Sequence, residues 1–462
     1  GFDVYESQDE TANTNKVKYF AVYREGAYTT AGAVGTGDFQ DFGPGGAQYS
    51  RDPGTPVRVG EATYAGTENY GAVRVHTGNS GTGDVFLVQG DLSLTVDFED
   101  PSPDGAIVGS QGYYYSAKVE RSARISRGLH SAIRDFEKER KIDVLVCHSL
   151  WGAPHMLYGE TGAAIVSYIE FPSYRTHGWD PAYPPSPSQR LTDHNSEMLN
   201  LYQVVRSDLV ICPSHHAKGM IPSALQGKVE VQMEGFDMTS WKTIAVAGED
   251  KPFTVGFAAR DLSSAKGIDR FMSIADTLAK KDAEIEFVVI GDENASSYGY
   301  EKQWVEQRYP GETVSFAEHL RRIHPKAARK VTFAGLLKYD EYEKTLQGID
   351  VFLYPLRHGV ANWGLVEILG RGGCVIASNE GYPAEIIQHD VNGCLLPYDE
   401  RHWVKEVLSL KGDPARRQTY SGNARKMAQQ AFSLEVVANR YMHLFGQAIV
   451  NRDARHAGAS LY

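Results

Sequence analysis

The 462 residues, 42% hydrophobic and 23% charged, have the make-up of an ordinary globular chain, and at roughly 100–200 residues per domain they suffice for two or three domains. A formal charge of −11 argues against general nucleic-acid binding, which needs clustered Lys and Arg, yet leaves room for one local basic pocket. No run approaches the roughly 20 apolar residues that span a bilayer, and no basic segment followed by an apolar stretch marks a secretory signal near the start.

The first hundred residues are rich in Gly, Thr, Tyr and Val, with short alternating runs at Lys16–Tyr23, Ala72–His76 and Val85–Asp97. Turn clusters such as Gly43-Pro44-Gly45-Gly46 and Gly78–Gly83 separate them, which predicts strands and hairpins. From Ser116 the pattern changes to helices alternating with short β-branched runs. Ala117–Arg140 has helical spacing. Ile142–Cys147, Ala163–Ile169, Leu209–Cys212 and Lys228–Gln232 read as buried parallel strands, with a Pro- and Tyr-rich loop at Glu170–Pro187 and a helix at Leu191–Val205.

Ala245–Lys251 carries no apolar pattern and marks a domain boundary. The alternation then restarts. Strands are expected at Phe253–Ala258, Glu284–Ile290, Lys330–Ala334, Val351–Tyr354 and Cys374–Ala377. Helices are expected at Ile268–Lys280, Tyr300–Gln307, Tyr339–Gln347, Leu365–Arg371 and Tyr382–His389, with an extended polar connection before Lys330. Two tandem sets of this kind predict an α/β protein with two doubly wound, Rossmann-like domains. The expected layout is an N-terminal domain over 1–244 with its β-rich elaboration within 24–110, a second domain over 245–435, and a C-terminal helix over 436–462 that packs back on the first. The four cysteines, Cys147, Cys212, Cys374 and Cys394, form no CxxC pair; they are expected to be buried reduced thiols rather than metal ligands, which fits the cytoplasm.

Ligands of open parallel sheets collect beyond the carboxyl ends of the strands. After Phe253–Ala258 come Arg260 and Lys266, a planar fork and a point charge able to straddle a diphosphate, although loop cations are also commonly solvated. After the next strand, Gly291 permits close backbone approach, or makes an ordinary turn. After Val351–Tyr354 the loop Gly359–Gly364 leads into a helix expected to begin near Gly364, with Glu367 in its first turn. There a carboxylate suits the helix dipole and could accept two hydroxyls of a ribose, and the amides suit phosphate. His148, at a strand end, is compatible with a structural or a functional role.

Four blocks in order, AARDLSSAKG, VVIGDENASSYG, WGLVEILGRGGCVIAS and GYPAEIIQHDVNGCLL, resemble the retaining glycosyltransferases of family 4, which have the GT-B fold. Weaker likeness runs through VLVCHSLWGAP, YIEFPSYRTHGWDPAYPPS and SDLVICPSHHAKGMIP to VQMEGFD. The resemblance implies transfer of a sugar from a UDP-, GDP- or ADP-sugar to a hydroxyl acceptor such as a glycan or lipid-linked sugar. No DxD-like motif sits on a suitable loop, so no obligatory metal or other cofactor is expected. By the resemblance, Arg260 and Lys266 bind the donor diphosphate and Glu367 the ribose. Gly359, Val360, Ala361, Asn362, Trp363, Gly364 and Leu365 wrap sugar and phosphates, Gly291 lies against the nucleotide, and Leu336 and Lys338 lie beside the base. His148 meets the transferred sugar; Glu170, Tyr174 and Arg175 are acceptor-side candidates. The chain departs from the family where the first acid of its E-x7-E pair would stand, since that position is Gly359. A sugar-nucleotide epimerase, or a scaffold with a degenerate site, would share the architecture. No GxGxxG follows a strand, which disfavours a nicotinamide enzyme.

Overall fold

The computed structural model describes residues 115–149, 152–172, 181–244, 251–295, 300–357 and 359–459, together with the backbone of three short strands near the N-terminus. Those strands, β1 (Phe2–Glu6), β2 (Phe20–Arg24) and β3 (Ala62–Thr63), form an antiparallel sheet with β1 in the middle. The strands expected at Ala72–His76 and Val85–Asp97, and nearly all of the boundary expected at Ala245–Lys251, lie outside the described residues.

The chain divides into two compact units, Gly1–Ser167 with Val205–Asp208 and Ala448–Tyr462, and Tyr168–Val204 with Leu209–Gln447. In the first, helix α1 (Ala117–Phe136) buries Ile125, Leu129 and Ile133 with Leu157 and Ile165 beside strands β4 (Val144–His148) and β5 (Ala164–Tyr168). Asp208 organises this unit: its carboxylate accepts from Ile165 N at 2.9 Å and from Arg455 Nε at 2.9 Å.

The larger unit holds helix α2 (Pro187–Arg206) up to Val204, strand β6 (Leu209–Cys212), the five-residue helix α3 (His215–Gly219) and strand β7 (Val229–Val231), which pairs in parallel with β6. A six-stranded sheet follows. Its strands are β8 (Thr254–Asp261), β9 (Glu286–Asp292), β10 (Val331–Gly335), β11 (Val351–Tyr354), β12 (Val375–Ser378) and β13 (Cys394–Leu396). Every pair is parallel, in the order β10-β9-β8-β11-β12-β13. Counted from β8, that is 3-2-1-4-5-6, the dinucleotide-binding arrangement, and the winding reverses between β8 and β11.

Alternation along each strand covers both faces. Val351 and Leu353 join one apolar cluster with Phe271 and Leu278 of α4 (Ile268–Lys281) and Trp403 of α11 (Glu400–Lys411). Phe352 and Tyr354 join another with Leu346 of α8 (Tyr339–Gln347), Leu365 and Ile368 of α9 (Trp363–Gly370), and Ala424 of α12 (Pro414–Phe432). Between β9 and β10 the chain forms α5 (Glu301–Arg308), α6 (Phe316–Ile323) and α7 (Pro325–Lys330). The polar connection expected there is thus partly helical: Ser315 accepts from Glu318 N at 3.1 Å to start α6, and Pro325 opens α7. The helix expected at Tyr382–His389 is only α10 (Pro383–Ile386), and α13 runs Leu434–Ala459. No described helix is long and apolar enough to cross a membrane.

Candidate functional site

The winding reverses between β8 and β11, the place where open parallel sheets hold their ligands, and the two cations stand at and just after the carboxyl end of β8. Arg260 is the penultimate residue of β8 rather than a loop residue. Because neighbours on a strand face opposite ways, the Arg260 side chain is 68% exposed and that of Asp261 is buried, with Arg260 Nε 4.0 Å from Asp261 Oδ2. Lys266 closes the 3₁₀ turn Ser264–Lys266 just before α4. Burial pushes the Lys266 pKa down; the carboxylates of Asp261 and Glu170 oppose that shift, and Arg260 adds to it.

Gly267 explains why the turn can sit so close to β11. Its φ is +85°, and a Cβ there would stand 2.2 Å from Pro355 O. Arg357, which the sequence did not single out, ties the two loops: it donates to Ser264 O at 2.9 Å and grips Asp269 through both Nη atoms at 2.6 Å. Gly291 lies inside β9 with φ +152°, and the group it makes room for is Ala259 O, 2.5 Å from where a Cβ would be. Beyond β10, Leu336 and Lys338 are both exposed.

The loop after β11 is held from several sides. Val360 inserts among Val210, Cys212 and Val229, and its carbonyl accepts from the Ser214 hydroxyl. Gly359 O accepts from Tyr382 N at 2.9 Å. Asn362 Oδ1 caps α9 by accepting from Leu365 N at 2.9 Å, so α9 begins at Trp363, one residue before the expected start. Ala361 packs against the cluster of Met233, Tyr382 and Phe432, Gly364 is the second residue of the helix, and the Leu365 side chain is fully buried. Trp363 stays 60% exposed, with its Nε1 donating to Glu234 Oε2 at 3.1 Å and its ring edge-on to Phe236 at 6.0 Å.

The earlier helix start moves Glu367 to the fifth helical residue, out of the first turn, so the dipole argument no longer applies to it. Its carboxylate is set instead by side chains: Arg371 Nη2 lies 2.8 Å from Oε1, and Tyr342 donates to Oε2 at 3.1 Å. Arg371 is wholly buried and also pairs with Glu343 at 2.6 Å and with the Tyr339 hydroxyl at 2.7 Å. Its signal was present as the i,i+4 spacing from Glu367. Ser214 also had a local signature, a serine opening a helix; it accepts from Ala217 N at 3.0 Å. Glu385, which accepts from the backbone of His215 at 2.8 Å and His216 at 2.6 Å, had none.

Glu170 follows β5 and is half-buried; its charge acts on both Lys266 and the Tyr168 phenol. Tyr174 and Arg175 lie outside the described residues. His148 ends β4, half-buried, in the smaller unit. All four cysteines are buried and unpaired, and burial pushes the thiols of Cys147, Cys212 and Cys374 up to about 12. Among the described residues one group has metal-ligand chemistry, His389, Asp390 and Cys394. A cation is already supplied there, since Arg416 Nη2 stands 2.7 Å from both Asp390 and Glu406.

Residues 101–240 match the family profile described as Glycosyl transferase family 4 group, and residues 240–427 that of Glycosyl transferases group 1. No curated protein matches the chain. Among solved structures, sucrose-phosphate synthase from Thermosynechococcus elongatus is similar with a TM-score of 0.57 and 16% identity, over 73% of this chain and 79% of that one. HepE of Anabaena in complex with UDP-glucose has a TM-score of 0.49 and 17% identity, over 69% and 82%. TarM has a TM-score of 0.49 and 16% identity, over 70% and 58%.

Proposed function

Because the chain belongs to the group 1 glycosyltransferases and has their GT-B fold, we propose that it transfers a sugar with retention from a nucleoside-diphosphate sugar bound in the crevice between β8 and β11. The supporting observation is convergence. Gly267 and Arg357 bring the turn carrying Lys266 against the loop that leads to Glu367, at the place where the sheet reverses and such folds hold their ligands.

In this reading 245–435 is the donor half. Arg260 and Lys266 meet the diphosphate, Glu367 the ribose hydroxyls, and Gly291, Leu336 and Lys338 the nucleoside. The loop from Gly359 to Leu365 surrounds the sugar. As the glycosidic bond breaks, negative charge grows on the leaving diphosphate. A partly desolvated ammonium already fixed beside it stabilises that charge more than water would. Each charge-assisted hydrogen bond contributes about 1.5–3 kcal/mol. The acceptor hydroxyl attacks from the face the diphosphate leaves, and a donor phosphate oxygen takes its proton, so no protein nucleophile is assigned. Glu170 stands on the acceptor side. The two cations supply the charge that a metal would, and we assign no obligatory metal. Buried reduced thiols fit a cytoplasmic setting.

The test is incubation with a panel of radiolabelled UDP-, GDP- and ADP-sugars. Slow hydrolysis of one donor, or protection by one nucleotide against thermal unfolding, is the expected result. Binding to none of them sinks the donor assignment and leaves the scaffold reading.

A further inference from the structure

A sugar held in a loop needs groups that accept its hydroxyl protons. The loop Gly359–Gly364 offers few: Gly359, Val360 and Ala361 have no polar side chain, Asn362 Oδ1 already accepts from Leu365 N, and the Val360 carbonyl from Ser214. A carboxylate nevertheless reaches it from the segment after β7, where Glu234 Oε2 accepts from Trp363 Nε1 at 3.1 Å.

The Glu234 charge also reaches Tyr168, whose phenol is pushed up by burial first and by that charge second. Glu170 acts on that same phenol and on Lys266. Among the described residues no cation pairs with Glu234. An ionised carboxylate offers about four lone-pair sites, and neutral donors take only part of that capacity. Beside it the Trp363 indole, tied by this hydrogen bond and packed against Phe236, is 60% exposed. An amphipathic ring next to a carboxylate suits a pyranose, whose C–H face packs on the indole while its hydroxyls donate to the acid. Two like charges nearby, Glu234 and Glu170, repel a sugar that carries its own carboxylate or phosphate.

We propose that Glu234 is the carboxylate that holds the hydroxyls of the transferred sugar, with Trp363 as its platform, and that the donor sugar is therefore uncharged. This rests on the donor reading above. The experiment is calorimetric titration and steady-state turnover of wild type, Glu234→Gln and Trp363→Ala. The probes are the nucleoside diphosphate that the panel selects, its glucose conjugate and its glucuronate conjugate.

Expected for wild type is a preference for glucose over glucuronate of about tenfold or more in kcat/KM. Glu234→Gln, nearly isosteric, should bind the bare nucleoside diphosphate within about twofold of wild type, which also reports an intact fold. It should lose about tenfold or more of its turnover with the glucose conjugate and most of its discrimination. Trp363→Ala should weaken both conjugates and spare the bare nucleotide. A Glu234→Gln enzyme with wild-type turnover and unchanged discrimination overturns the proposal and leaves the donor reading standing. A wild-type protein that binds no nucleoside diphosphate overturns both.

Discussion

Arg371 sits one turn beyond Glu367, wholly out of solvent, with Nη2 2.8 Å from the Glu367 carboxylate and Nη1 2.6 Å from that of Glu343. An i,i+4 pair on an exposed helix contributes a few tenths of a kcal/mol. Here the guanidinium is enclosed, so its loss strands two acids in a poorly solvated place. Lys242, 3.0 Å from Glu343, lies on the exposed edge of the group and compensates little.

Arg371→Ala is therefore expected to destabilise the larger unit by about 3–5 kcal/mol, the usual cost of removing one partner of a buried ion pair. Thermal unfolding followed by circular dichroism measures it. Arg371→Lys should recover only part, because one ammonium cannot serve Glu343, Glu367 and the Tyr339 hydroxyl together. A wild-type melting temperature for Arg371→Ala would show that the network adds nothing to stability.

Gly267 and Gly159 make a matched pair. Both have positive φ, +85° and +87°, but a Cβ at 267 meets Pro355 O at 2.2 Å whereas nothing lies within 4 Å of one at 159. Gly159→Ala should cost only the left-handed strain, about 1–2 kcal/mol. Gly267→Ala adds a backbone collision, and should lower the melting temperature further and weaken nucleotide binding by parting the β8 and β11 loops. Equal melting temperatures for the two variants would refute the close approach.

Lys266 sets a pH prediction. Burial lowers its folded pKa below the ordinary lysine value, while in the unfolded chain that value is restored. Between the two values the unfolded state binds the extra proton, so this group makes stability rise with pH across that window. Activity moves the other way: the ammonium is lost as pH climbs past the folded value, giving kcat/KM an alkaline limb below the ordinary lysine range. Lys266→Arg should remove that limb from the accessible range, since guanidinium does not deprotonate there. An unchanged limb would assign it to another group.

Truncating each cation separates their weights. Lys266→Ala removes a desolvated charge and should cost about 10–100-fold or more in kcat/KM. Arg260 is largely exposed, so Arg260→Ala should cost less and its effect should shrink with added salt. Donor hydrolysis at two ionic strengths decides it, and an equal loss at both would contradict the ranking.

Prolonged dialysis against a chelator should leave kcat within about twofold, because fixed cations carry the leaving-group charge. Activity lost on dialysis and restored by added magnesium would reverse that part of the mechanism.

Much of the fold was legible because burial on two faces leaves a local mark. The β-branched runs at Leu209–Cys212 and Val351–Tyr354 coincide with β6 and β11, and Tyr339–Gln347 with α8. Short elements were less legible. α6 and α7 depend on a capping serine and a helix-opening proline within a polar stretch, where periodicity says little. The start of α9 falls one residue before the expected Gly364 because Asn362 supplies the cap.

The chemistry divided in the same way. Residue type and place near a strand end made Arg260, Lys266, the Gly359–Gly364 loop and Glu367 candidates, since strand ends of a parallel sheet are where such groups collect, and the family resemblance gave them their expected roles. Chain order could not show that β11 lies beside β8, nor that Glu234 reaches Trp363 from 129 residues away. Local periodicity records which side of an element is buried. The partner of a charge, and how much water it has lost, depend on segments brought together only when the chain has folded.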